Sequence, residues 1–97
     1  MRYAAGPLSE KRYGLVTGTF DRLDEASERR LRAAKSGCDR LIVGLAVEPE
    51  ATFAARKRAL EEHELVDDLF IYHDERELEE AIEALRPHRH LDRLLAA

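Results

Sequence analysis

The sequence predicts a three-layer α/β/α domain built on a small parallel sheet. Apolar runs of strand length alternate with charged, helix-periodic stretches in the order β-α-β-α-β-α plus a short tail. Alternation of this kind calls for parallel strands joined by helical crossovers. The run "RLIVGLAV", residues 40–47, is apolar without a break, the mark of a strand covered on both faces. The 97 residues, 44% of them hydrophobic, suffice for one core, so a single domain over 13–97 is expected.

Residues 1–12 read as a flexible lead-in, broken by Gly6 and Pro7. "YGLVT" (13–17) is a short buried strand ending at Gly18. A helix follows from about Asp24 to Ser36, with Leu23, Ala26, Leu31 and Ala34 on one side. Gly37, after Lys35 in the last turn, is placed to end it in a left-handed conformation. Pro49 closes the second strand, and 52–63 is helical by composition. A third strand covers roughly 69–72. Asp74 then opens the last helix, with Glu77 completing a capping-box-like pair and Pro87 marking its end. The tail "HRHLDRLLAA" forms either a short fourth strand or a helical turn. A first strand left open at one edge needs cover, so either a homodimer or the tail itself is expected there.

Charged residues make up 37% of the chain, 16 basic against 20 acidic, for a net charge of −4. That balance gives no general attraction for nucleic acid or an anionic membrane. No stretch is long and apolar enough to span a bilayer, and "MRYAAGPLSEKR" lacks the apolar centre of a secretory signal. Cys38 is the only cysteine, which excludes an intramolecular disulfide and suits a reducing cytoplasm; before a strand it reads as a small buried filler.

The segment with chemical interest is "GTFDRLDEAS" (18–27), between the first strand and the first helix. In open parallel sheets ligands bind beyond the carboxyl ends of the strands, often at a helix N-terminus. Together with "AAKSGCDRLIVGL" and "ARKRALEEHELVDDLFIY", this segment resembles the cytidylyltransferase-like nucleotidyltransferases, especially the glycerol-3-phosphate cytidylyltransferase branch. The resemblance implies a Rossmann-like fold, shortened at its C-terminal side. It also implies transfer of a nucleotidyl group from CTP or ATP, with Mg²⁺, to a phosphorylated alcohol. Gly18, Thr19 and Phe20 match the nucleotide-contacting turn of that family, and Arg56 and Lys57 match a basic pair directed at the phosphates. Read as residues alone, Gly18 makes the turn, Phe20 packs in the core, and Arg56 and Lys57 lie on a solvated face.

Two departures bear on activity. The family pattern G-T-F-D-x-x-H-x-G-H has Asp24, Ala26 and Ser27 at its last His-x-Gly-His positions, so both histidines are replaced. In the family these contact the triphosphate, and preorganised donors of this type are worth about a hundredfold or more in rate each. An ionised Asp24 only accepts hydrogen bonds and repels phosphate. The R-T-x-G-I-S-T motif of the family's C-terminal half has no counterpart either. Asp and Glu in a first turn have a simpler use, capping N–H groups and complementing the helix dipole. A cluster of Asp21, Asp24 and Glu25 is the one candidate for Mg²⁺.

The expected function is therefore a cytidylyltransferase-like scaffold without catalysis that binds another protein or itself. The alternatives are a divergent nucleotidyltransferase and a nucleotide-binding sensor without turnover. His88 and His90 have no third ligand at metal spacing, and Ser27 lies in no nucleophile elbow.

Overall fold

The computed structural model describes residues 12–85 and 91–93. Four parallel strands are present: β1 (Tyr13–Gly18), β2 (Arg40–Ala46), β3 (Asp68–Tyr72) and β4 (Leu91–Arg93). They lie in the order β3-β2-β1-β4. The helices between them are α1 (Glu25–Ser36), α2 (Phe53–Glu61), entered through a 3₁₀ turn at Glu50–Thr52, and α3 (Glu75–Leu85). The expected α/β class and parallel sheet are found. The lead-in, apart from Arg12, and the pair His88 and His90 lie outside the described residues.

The alternation of β2 assigns the layers. Leu41, Val43 and Leu45 point to one side, where Leu31 of α1 and Leu60 of α2 complete a core with Val16 and Phe20. Ile42 points to the other side and meets Leu15, with Leu78 and Ile82 of α3. Leu31 and Leu60 are fully enclosed, and burying each is worth roughly 2 kcal/mol. Gly44 is also required here. A Cβ on it would stand 2.6 Å from Cζ of Phe70 and 3.1 Å from Cγ2 of Thr17, so the Phe70 ring lies where any larger residue would project.

The amino ends of the strands are pinned by charge. The Asp67 carboxylate accepts from Lys35 Nζ at 2.6 Å and from the Leu41 N–H at 2.7 Å. Burial pushes this carboxyl up, but the Lys35 ammonium and the Leu41 N–H outweigh it, and the net shift is downward. Asp39 accepts from the Arg12 N–H, and Arg40 forks onto Asp68.

Several expectations need correction. Ala26 is exposed, because it lies about 140° around the helix from Leu31 at 100° per residue. Gly37 has φ −99° and is not left-handed. The last turn tightens instead through i→i+3 bonds, Gly37 N–H to Ala34 O and Cys38 N–H to Lys35 O, which satisfy the end carbonyls. Cys38 is only partly buried, and its thiol lies against Ala34 O. The second helix stops at Glu61, two residues early. Glu77 does not reach back to the Asp74 N–H; its carboxylate takes the N–H and Nδ1 of His73, at 2.7 and 2.8 Å, while Asp74 accepts from Glu77 N–H.

The open edge of β1 is covered by the tail. Leu91–Arg93 pairs in parallel with Tyr13–Leu15, so this part of the tail is a strand rather than a helical turn.

Candidate functional site

Strand order reverses between β1 and β4, so the carboxyl end of β1 is where an open α/β sheet offers a ligand its crevice. The loop from Thr19 to Asp24 leaves β1 there and enters α1. Phe20 within it has φ 50°, a left-handed conformation for a bulky residue, and its side chain is buried in the core at 4% exposure. A shallow groove of about 230 Å³ lies beside it, lined by Phe20, Asp21, Arg22, Leu23, Thr52 and Arg56 among others. A larger cleft of about 380 Å³ opens by Tyr13, Arg40 and Asp68. Those are the first residues of three strands, the end of the sheet away from the loop.

Asp24 is the N-cap of α1, and its Oδ1 accepts from the Ser27 N–H at 3.0 Å. That bond lowers the Asp24 carboxyl below its ordinary value, so the group is a carboxylate at neutral pH. Ser27 turns its hydroxyl back to donate to Arg22 O at 3.0 Å. Its N–H and O–H are thus both used within the turn. Glu28 reaches away and meets Nε2 of His63 with its two oxygens, at 2.8 and 2.9 Å. Nδ1 of the same ring accepts from the Leu65 N–H, which fixes the proton on Nε2 in the neutral imidazole.

Arg56 is buried at 5% exposure, which corrects the expectation of a solvated face. Its guanidinium donates to five acceptors, all of them groups of this chain. Nε takes Thr52 Oγ1 at 2.8 Å, Nη1 takes Thr19 O at 2.7 Å and Ala46 O at 2.8 Å, and Nη2 takes Val47 O at 2.8 Å and Pro49 O at 2.7 Å. A guanidinium has five N–H donors, and all are consumed. The cation also lies 5.9 Å from the centre of the Phe53 ring. Lys57, one residue on, faces outward and pairs with Glu61 at 2.7 Å.

The fold brings Gly18, Thr19, Phe20 and Arg56 together, with Asp24 and Ser27 at the next turn, and turns Lys57 aside. Among the described residues no three His, Cys, Asp or Glu side chains, Asp21, Asp24 and Glu25 included, gather closely enough to hold a metal ion. Sequence reasoning did not find the Glu28–His63 pair or the role of Thr52. These partners are 35 and 4 residues from their counterparts and carry no motif.

No protein-family model matches the chain, and no curated protein is similar to it. Among the described residues no helix is long and apolar enough to cross a membrane.

Proposed function

We propose that this chain is a nucleotidyltransferase-like domain without nucleotidyl transfer, acting as a scaffold that binds another protein or further copies of itself. The observation that carries this reading is the carboxylate of Asp24 seated on the N–H of Ser27. A helix N-terminus attracts phosphate through free N–H groups and the positive end of its dipole. Here the first turn carries its own anion, with Glu25 and Glu28 adding to it. Arg56, the buried cation nearest the loop, has no N–H left for a phosphate oxygen.

A second reading, nucleotide binding without turnover, is favoured by the left-handed Phe20. A bulky residue in that region costs about 1–3 kcal/mol, and such strain clusters at active sites, ligand clamps and switch regions. The divergent enzyme using Gly18, Thr19, Phe20, Arg56 and Lys57 requires Arg56 to exchange internal acceptors for phosphate.

Calorimetry with CTP, ATP and CMP in Mg²⁺, beside an assay for released pyrophosphate, separates the three. The scaffold gives no heat and no pyrophosphate with any phosphorylated alcohol. Saturable heat alone establishes the sensor, and pyrophosphate release overturns the scaffold.

A further inference from the structure

We propose that β3 is a docking edge for a second copy of this chain, the two β3 strands pairing antiparallel about a twofold axis at Phe70. The inference rests on the scaffold reading and deepens it by naming the surface.

β3 is the last strand on its side of the sheet, with β2 as its one neighbour among the described residues. Its backbone groups divide by alternation. Tyr72 O accepts from the N–H of Val47, just past β2, at 2.9 Å. Tyr72 therefore faces β2, and Phe70 and Asp68, at alternate positions, do the same. Leu69 and Ile71 are left presenting their N–H and C=O groups to the open edge. That edge also carries the one large apolar side chain exposed among the described residues, Ile71 at 43%.

Exposed edges are ordinarily blunted by Lys, Pro, a bulge or a very short strand. The opposite edge, β4, is such a case, with three residues of which Asp92 and Arg93 are charged. β3 has five and runs Leu69-Phe70-Ile71 through its centre, without Lys, Pro or Gly. Its one charge, Asp68, is held by the Arg40 guanidinium at 3.2 Å.

The edge complements itself best in one register. Centred on Phe70, Leu69 of each copy opposes Ile71 of the other, and the two exchange N–H···O=C bonds in both directions. Leu69 and Ile71 then share one face, Phe70 meets Phe70 on the other, and Asp68 stands opposite Tyr72. No like charges are opposed. Centring on Ile71 would set Asp68 against Asp74 and require the His73 N–H, which Glu77 already takes. Centring on Leu69 would require the Asp67 N–H, which Leu41 O already takes.

A twofold pair of this kind is isologous, so growth stops at the dimer. Strands this short bury less than the roughly 1,200 Å² of a standard complex, so the dimer is weak.

Sedimentation velocity on the full chain, from about 10 μM to about 1 mM, tests this. The weight-average mass rises from the monomer to the dimer and stops there. Salt at about 500 mM leaves the rise in place, because backbone bonding and apolar contact drive it. Over the same range the Leu69 and Ile71 amides gain protection from hydrogen exchange. Ile71→Lys and Ile71→Pro, each checked for fold by circular dichroism, weaken the dimer about tenfold or more. The proline removes only an outward N–H and keeps the bonds to β2. A monomer at all concentrations overturns the proposal, as does growth past the dimer or a dimer that salt dissolves. So does a dimer in which those amides exchange as in the monomer, or one that both variants leave unchanged. An edge that takes up another protein's strand while the chain stays monomeric overturns it too. Nucleotide titration reads the other claim separately. Pyrophosphate release from a dimer joined at β3 overturns the loss of catalysis alone, and a monomer that ignores nucleotide overturns this pairing alone.

Discussion

The guanidinium of Arg56 donates to the carbonyl oxygen of Thr19 at 2.7 Å, joining α2 to the loop after β1 across 37 residues of sequence. With its bonds to Ala46, Val47 and Pro49, this side chain closes the carboxyl ends of β1 and β2 into one unit. Removing it takes a donor from four buried or half-buried carbonyl oxygens, of which Pro49 O alone keeps others, the N–H and hydroxyl of Thr52. Arg56→Ala is expected to cost about 3 kcal/mol or more. Arg56→Lys keeps the charge but loses the planar fork and recovers little of this. Urea unfolding reads both; a loss under about 0.5 kcal/mol for either would refute the structural role.

Gly44 and Phe70 make a second testable contact. A methyl group at Gly44 would collide with the Phe70 ring at 2.6 Å in the centre of the sheet. Gly44→Ala should destabilise by about 1–3 kcal/mol through overpacking. Adding Phe70→Leu should return part of the loss, because the two sites share one space. Additive losses in the double variant would show that the ring is not the obstacle.

The His73–Glu77 pair predicts a window of pH. The hydrogen bond to Glu77 raises His73 above its ordinary 6.5, so its contribution is full below that value and fades as the pH rises through the raised one. The bond to His73 lowers Glu77 below its ordinary 4.5, so its contribution is present above 4.5 and lost as the pH falls. The difference in Tm between the wild type and His73→Ala should be largest between these limits and shrink on either side. A difference independent of pH would rule out the ion pair as its source.

Asp67 behaves as a lowered carboxylate, and its stabilisation is likewise present above its ordinary 3.8 and lost in acid. Asp67→Asn weakens its bonds to Lys35 and the Leu41 N–H. A loss of about 1–3 kcal/mol at pH 7 is expected, falling as the pH drops below 4. Urea unfolding at both pH values checks it.

The parts of this fold that were legible from sequence are those written in local pattern. The apolar run of β2 gave a strand buried on both faces, and Asp24 before an acidic first turn gave a helix cap. Arg56 was not legible, because four of its five acceptors are main-chain carbonyls, which every residue possesses and no sequence pattern marks. The same holds for Glu28, whose partner His63 is brought near only by the packing of α1 against α2. Gly44 looked like any small residue in an apolar run, since its requirement comes from Phe70 on the neighbouring strand. The tail was ambiguous for a related reason: three residues of strand are specified by the open edge of β1 that receives them, not by their own periodicity.

The account depends on the first turn of α1 being already occupied by the chain's own carboxylate. Following the amide resonances of residues 18–28 during addition of CTP with Mg²⁺ tests this most directly. Unchanged Ser27 and Glu28 amides up to millimolar nucleotide are the predicted result. Saturable shifts confined to that turn, together with release of Ser27 N–H from Asp24, would contradict it.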